Sequence, residues 1–212
     1  MLLTTALLSL LVAADPPPTD ELESLRKEGY ARSWDVVVLL DLQGLSSGPV
    51  GWEQTGSLDF QPTVSSEIPL AGLQVDVGNY DGFIGFSLFS LRVARARGEV
   101  DFRFDDATPA MPFRVTRYGV AVFQPRARFH YWKLQAFAQV GVDFEIVSGA
   151  HAADPAVGNV KAYSLGLGGR AGVRGFVWKG MFVELEYGLR AAIAIGQVPL
   201  THGLLAGVGY AF

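Results

Sequence analysis

No cysteine occurs among the 212 residues, which excludes a disulfide framework, a thiolate metal site and a lipidated N-terminal cysteine. Basic charge is also short. With 17 Lys and Arg against 21 Asp and Glu, the formal net charge is −4, the wrong sign for a nucleic-acid partner, whose phosphates favour a basic surface. Beyond the first residues the chain has no long apolar run, whereas a helical membrane span needs roughly 20 apolar residues in succession. Yet half of the residues are hydrophobic, so the apolar side chains are dispersed in short alternating segments. The length fits one domain, and no second block of distinct composition is large enough to fold separately.

Residues 1–14 are the one uninterrupted apolar stretch. They end in Val12-Ala13-Ala14 and break at Asp15-Pro16-Pro17-Pro18, the pattern of a secretory signal with a small-residue cleavage site, although no Lys or Arg precedes the apolar run. Residues 15–33 are Pro-rich and then charged, which reads as an N-terminal tail, and the folded domain is expected over 34–212.

Period-two alternation dominates that domain and predicts strands. At the C-terminal end, Leu204, Ala206, Val208, Tyr210 and Phe212 share one face, while Gly203, Leu205, Gly207, Gly209 and Ala211 share the other. Just before, Met181, Val183, Leu185, Tyr187 and Leu189 alternate against Glu184, Glu186 and Arg190. One face suits lipid and the other carries glycine or charge. The same pattern recurs at 134–146 and 163–177, and more weakly at 34–45, 73–77, 83–95 and 99–105. In 113–128 the apolar parity changes, which predicts a bulge near Arg117. Short turns are expected at 79–82, 130–132 and 178–180, and the longest loop at 148–160.

Apolar-out, polar-in strands ending in a terminal Phe resemble the outer-membrane β-barrel proteins of Gram-negative bacteria, in particular the small OmpA- and OmpX-like barrels. The resemblance implies an all-β, transmembrane, up-and-down antiparallel barrel in the bacterial outer membrane. It further implies that Val208, Tyr210 and Phe212 form a C-terminal signal read by the barrel-assembly machinery, that outer-membrane lipid and lipopolysaccharide surround the chain, and that its role is structural or interactive through outer loops. Counting back from Phe212 gives ten strands if 57–64 is a strand and Arg97-Gly98 closes a hairpin, or eight if neither holds. Ten is the preferred count. A soluble barrel with an apolar cup is excluded by the Gly, Glu and Arg faces.

Strand register predicts the candidate site. A three-residue turn at 178–180 sets Arg174 opposite Glu184 and Gly172 opposite Glu186, with Arg170 diagonal to Glu186; Asp143, Glu145 and Arg190 join from neighbouring strands. Buried charges must be paired or wet, so these residues read as an ion network filling a narrow lumen, or alternatively as the lining of a narrow channel for ions or small solutes. Catalytic chemistry finds little support. Ser148, His151 and Asp154 fall in one predicted loop of small residues that cannot hold a triad rigid. His202 with Asp105-Asp106 resembles the omptin proteases only in residue type, without loops long enough for a cleft. Neither a cofactor nor a metal is implied: the Asn79-x-Asp81-Gly82 stretch lacks the ligands of a calcium loop. Arg92, Arg95 and Arg97, together with Arg126, Arg128, Lys133 and Lys179, read as solvated rim, or alternatively as a basic patch for lipid phosphates or peptidoglycan.

Overall fold

The computed structural model describes residues 23, 24, 27, 33–45, 48–49, 52–54, 59–60, 63–64, 68–81, 84–103, 109, 111–153, 159–194 and 200–212. The expected signal at 1–14 and most of the 15–33 tail lie outside these.

Eight long strands form the barrel: β1 Trp34–Leu45, β2 Ile68–Asp81, β3 Ile84–Ala96, β4 Met111–Tyr131, β5 Leu134–His151, β6 Asn159–Trp178, β7 Met181–Ala194 and β8 Thr201–Ala211. Each pairs antiparallel with the next, and β8 returns to β1 along the whole seam from Asp35↔Ala211 to Leu45↔Thr201. Closure leaves no barrel edge exposed, the condition for strands to cross a bilayer. The count is eight rather than ten. Val100–Arg103 pairs with the outer end of β4, through Phe102↔Met111, while Val93 pairs with Tyr118 and Leu73. The expected hairpin at Arg97-Gly98 would have set Arg92 against Arg103; Arg92 instead turns into the lumen toward carboxylates. Within 57–64 only Asp59–Phe60 and Thr63–Val64 are described strands, and both are two-residue ladders outside the barrel.

Both termini of the barrel lie at the end of the short turns. Between β4 and β5 only Trp132 and Lys133 turn the chain, and between β6 and β7 only Lys179 and Gly180. Gly180 has φ +80, and a Cβ there would stand 2.4 Å from the Ala211 carbonyl oxygen, so glycine is required. The longer connections lie at the opposite, outer end. Several expected boundaries shift: residues 79–81 belong to β2, His130 and Tyr131 to β4 and Trp178 to β6, and β5 continues to His151, shortening the predicted 148–160 loop.

Outward side chains make a continuous apolar belt. On β5 it runs from Leu134 to Ile146; at about 3.3 Å per residue and ~40° of tilt this covers roughly 30 Å. Trp34, Tyr131, Trp132, Trp178, Tyr210 and Phe212 are exposed at the turn end, forming an aromatic girdle where rings meet headgroups. The inward and outward faces stay in phase around the barrel through paired bulges. Leu88 is extra against β2, and Phe123, with φ 51 and 69% exposed, is extra against β5.

No bulge occurs at Arg117, which pairs in regular register with Ala94 and Val147. The apolar parity change read at Phe113 and Val115 has a different cause. Both point inward and are fully buried, packed with Ile68, Leu70, Ala94, Ala96, Val147 and Ala162. The barrel therefore inverts its polarity along its axis. Through the belt it is polar inside and apolar outside; at the outer end it is apolar inside, as in a water-soluble fold. A second apolar cluster of Val37, Leu39, Phe176, Phe182, Leu205 and Ala211 occupies the lumen wall toward the turn end.

The β1–β8 seam leaves no room for a side chain at Gly207, where a Cβ would sit 2.0 Å from the Val38 carbonyl oxygen. Gly207→Val is expected to destabilise the closed barrel by about 3 kcal/mol or more, read as loss of the fast-migrating unheated band on a denaturing gel.

Candidate functional site: the charged lumen

Period two places every second residue of eight tilted strands into one narrow bore, so the charges on the inner faces of neighbouring strands meet. Arginine supplies the cations: Arg92, Arg117, Arg126, Arg128, Arg170, Arg174 and Arg190. Against them stand Asp35, Asp41, Asp76, Asp143, Glu145, Glu184 and Glu186, equal in number. Among the described residues no lysine is buried there. Guanidinium suits such a site because its planar fork serves two or three acceptors at once and holds water weakly.

Three groups succeed one another along the axis. Toward the turn end, Arg174 donates from Nε to Glu184 and from Nη1 to Asp35, each at 2.5 Å, and its guanidinium lies 3.7 Å from the Phe182 ring centroid. Beside it, the Arg126 and Arg128 guanidiniums lie 5.7 and 4.3 Å from the ring centroid of Tyr80, the Arg126 Nε donates to Gln139 at 2.8 Å, and His130 meets Gln135 at 2.7 Å. In the middle, Arg170 bridges Asp76 at 2.6 Å and Glu186 at 3.2 Å, with the Gln74 amide donating to Asp76 at 2.8 Å. Toward the outer end, Glu145 is the hub. It accepts from Arg117, from Arg92 at 3.1 Å, and pairs with Arg190 at 3.2 Å. Arg190 also donates to Asp143 at 2.5 Å, and Arg117 to Gln43 at 3.0 Å.

All seven residues expected in the network, Asp143, Glu145, Arg170, Arg174, Glu184, Glu186 and Arg190, face the lumen, and Arg174 stands opposite Glu184 and Gly172 opposite Glu186 in register. The turn beneath them differs from the expected one. Trp178 pairs with Met181 and Val177 is a bulge, which preserves the phase above it. Sequence reasoning missed Asp35, Asp41, Asp76, Arg117, Arg126 and Arg128, and assigned Arg92, Arg126 and Arg128 to a solvated rim. Their inward parity was available in the alternation of β1 to β4, but the Phe123 bulge between Arg117 and Arg126 hid the common face. Arg95, Arg97 and Lys179 are exposed.

Between the groups lies a cavity of about 30 Å³ lined by Gln43, Ser90, Arg92, Gln124, Gln139, Asp143, Arg170 and Arg190 among others. That is space for about two water molecules at ~10–15 Å³ each. Beyond it, toward the outer end, lies the buried Phe113 cluster.

The other candidates do not assemble. Ser148 and His151 lie in β5, an odd number of residues apart and so on opposite faces; His151 packs edge-on against Phe113, centroids 5.3 Å apart. Asp154, Asp105 and Asp106 lie outside the described residues. His202 meets the Tyr187 hydroxyl at 3.3 Å on the outward face. Among the described residues no group of His, Asp and Glu is arranged to hold a metal ion.

No family model and no curated protein sequence matches the chain. Among solved structures, Neisserial surface protein A is similar at 12% identity with a TM-score of 0.53, over 84% of this chain and 97% of that one. The outer membrane protein OprG from Pseudomonas aeruginosa is similar at 10% identity with a TM-score of 0.53, over 85% and 97%. The fold is thus that of the small outer-membrane β-barrels. Closed antiparallel barrel, outward apolar belt and interfacial aromatics together have the architecture of a membrane-spanning β-barrel.

Glu145 serves three arginines, whereas Asp143 serves Arg190 alone. Glu145→Gln is expected to lower barrel stability by about 3–5 kcal/mol, as for a broken buried pair, and Asp143→Asn by about 1–2 kcal/mol. Equilibrium unfolding in urea from lipid vesicles measures both, and equal losses would contradict the hub.

Proposed function

We propose that the barrel is a sealed anchor, without enzymatic activity, that holds its outer end at the cell surface for structural or interaction purposes. The observation that carries this reading is the burial of side chains in the bore, charge-balanced arginine pairs through the belt and then an apolar layer around Phe113. A conducting pore needs a wet path with sites that bind ions weakly enough to release them. Here the arginines are held by protein carboxylates, and a water leaving the central cavity would meet the side chains of Phe113, Val115 and Val147.

Val208 and Tyr210 on β8 and Phe212 just after it point outward and present an apolar edge, with Tyr210 and Phe212 stacked at 6.4 Å. This supports their recognition by the barrel-assembly machinery before closure against β1.

Planar-bilayer recording tests the sealed reading. Refolded barrel is expected to give no steady conductance steps, whereas Arg117→Ala combined with Glu145→Ala and Phe113→Ala, which removes the hub pair and the largest side chain of the outer layer, is expected to admit ions. Steady, ion-selective openings from the unaltered chain would replace the anchor by a narrow channel lined by Arg170, Arg174, Glu184 and Glu186.

A further inference from the structure

Every joint of the barrel but one lies between strands that follow each other in the chain; only β8 and β1 meet with no connection between them. In lipid an open joint leaves a row of unpaired backbone groups, so this seam has to be held. Its own side chains supply little. The inward positions of β8 from 203 to 211 are Gly203, Leu205, Gly207, Gly209 and Ala211, none of which carries a polar group for β1. Asp35, on β1 opposite Ala211, is instead reached across β7 and β8: Arg174 of β6 donates from Nη1 to its Oδ2 at 2.5 Å.

The bare face of β8 is what lets this arm pass. The Arg174 guanidinium lies 3.7 Å from the Phe182 ring centroid, and Phe182 lies so close over Gly209 that a Cβ there would stand 2.2 Å from its Cζ. A side chain at 209 would lift the ring and the arginine upon it. At the outer end of the seam Arg117, from the opposite wall, donates to Gln43 of β1 at 3.0 Å and to Thr201 of β8 at 3.4 Å. Those acceptors are neutral, whereas Asp35 gives a full ionic contact.

Half of the Arg174 contact needs no closed barrel. Arg174 and Glu184 are register partners in the β6–β7 hairpin, where Nε donates to Glu184 at 2.5 Å and Phe182 supports the guanidinium face. Ten residues separate Arg174 from Glu184, but 139 separate it from Asp35. Local contacts cost less chain entropy and form ahead of distant ones, and the planar fork of arginine serves two carboxylates at once.

We propose that Arg174 is a preloaded latch for barrel closure: the β6–β7 hairpin aims its Nη1, which captures Asp35 as β1 meets β8, and this contact locks the seam as the last joint. The latch is independent of whether the lumen conducts.

The test follows the full chain refolding from urea into lipid vesicles. Because the chain has no cysteine, Val38→Cys with Val208→Cys reports the seam, and Val142→Cys with Leu167→Cys reports the β5–β6 joint; both are register partners with exposed side chains. Copper-phenanthroline oxidation at successive times gives the rate at which each pair comes together. The β5–β6 cross-link is expected first and the seam last. Asp35→Asn, nearly the same shape, is expected to slow the seam cross-link about tenfold and leave the β5–β6 rate unchanged. Arg174→Lys, which keeps the charge but loses the fork, is expected to slow the seam likewise, and Asp35→Glu to restore most of the rate; the unheated gel band verifies each final fold. An unchanged seam rate in Asp35→Asn, equal slowing of both cross-links, or a seam that closes as early as β5–β6 in the unaltered chain overturns the proposal.

Discussion

Buried charge is the constraint on which the rest of this barrel depends. Among the described residues, seven arginines and seven carboxylates occupy a bore that side chains alone can fill, and each would cost several kcal/mol if left unpaired away from water. The answer is arrangement. Carboxylates are reached by arginines from other strands, so pairs tie β1 to β6, β2 to β6, β3 to β5 and β5 to β7 across or around the lumen. The backbone ladder closes the cylinder, and the ion pairs define what its interior can be. Arg117 and Glu145, both fully buried, could not be accommodated in an open or mispaired sheet without being returned to water. The network therefore selects the register as much as the register builds the network.

Polarity inversion along the axis follows from the surroundings. Within the bilayer the outer surface must be apolar, leaving polar groups only the lumen. Past the bilayer, β4, β5 and β6 continue into water, and the same strands then obey the ordinary rule of an apolar interior. Phe113 and Val115 lie on the same inward parity as Arg117, four and two residues away, so no change of backbone geometry marks the boundary. The functional consequences attach to this line. Inside it an apolar layer packs around Phe113, and outside it the outward face changes from Val93, Tyr118 and Tyr163 to Arg95, Thr116 and Lys161.

Much of this was legible in the sequence. Alternation along 134–146 and 181–195 specified strands and their faces, and a tight turn near Gly180 was enough to set Arg174 opposite Glu184. Other parts were concealed by local irregularity. The Phe123 bulge separates Arg126 and Arg128 in parity from Arg117, although all three point inward, so that two buried arginines looked like a solvated rim near a turn. Likewise Arg97-Gly98 looked like a hairpin loop because an isolated stretch of chain cannot show that Val100–Arg103 will find β4 instead of β3.

Composition and periodicity by themselves determined the class of structure, since the lack of long apolar runs and the period-two pattern leave strands as the means of crossing a membrane, and unpaired strand edges in lipid compel closure. They also determined which side chains on a given strand share a face, because that needs only the alternation of Cβ directions. Tertiary structure alone decided the strand number, the partner of each charge and the apolar layer that packs around Phe113. Those depend on which strands become neighbours and how far each is staggered, and such long-range pairings bring together residues as distant as Asp35 and Arg174, a relation that no local pattern encodes.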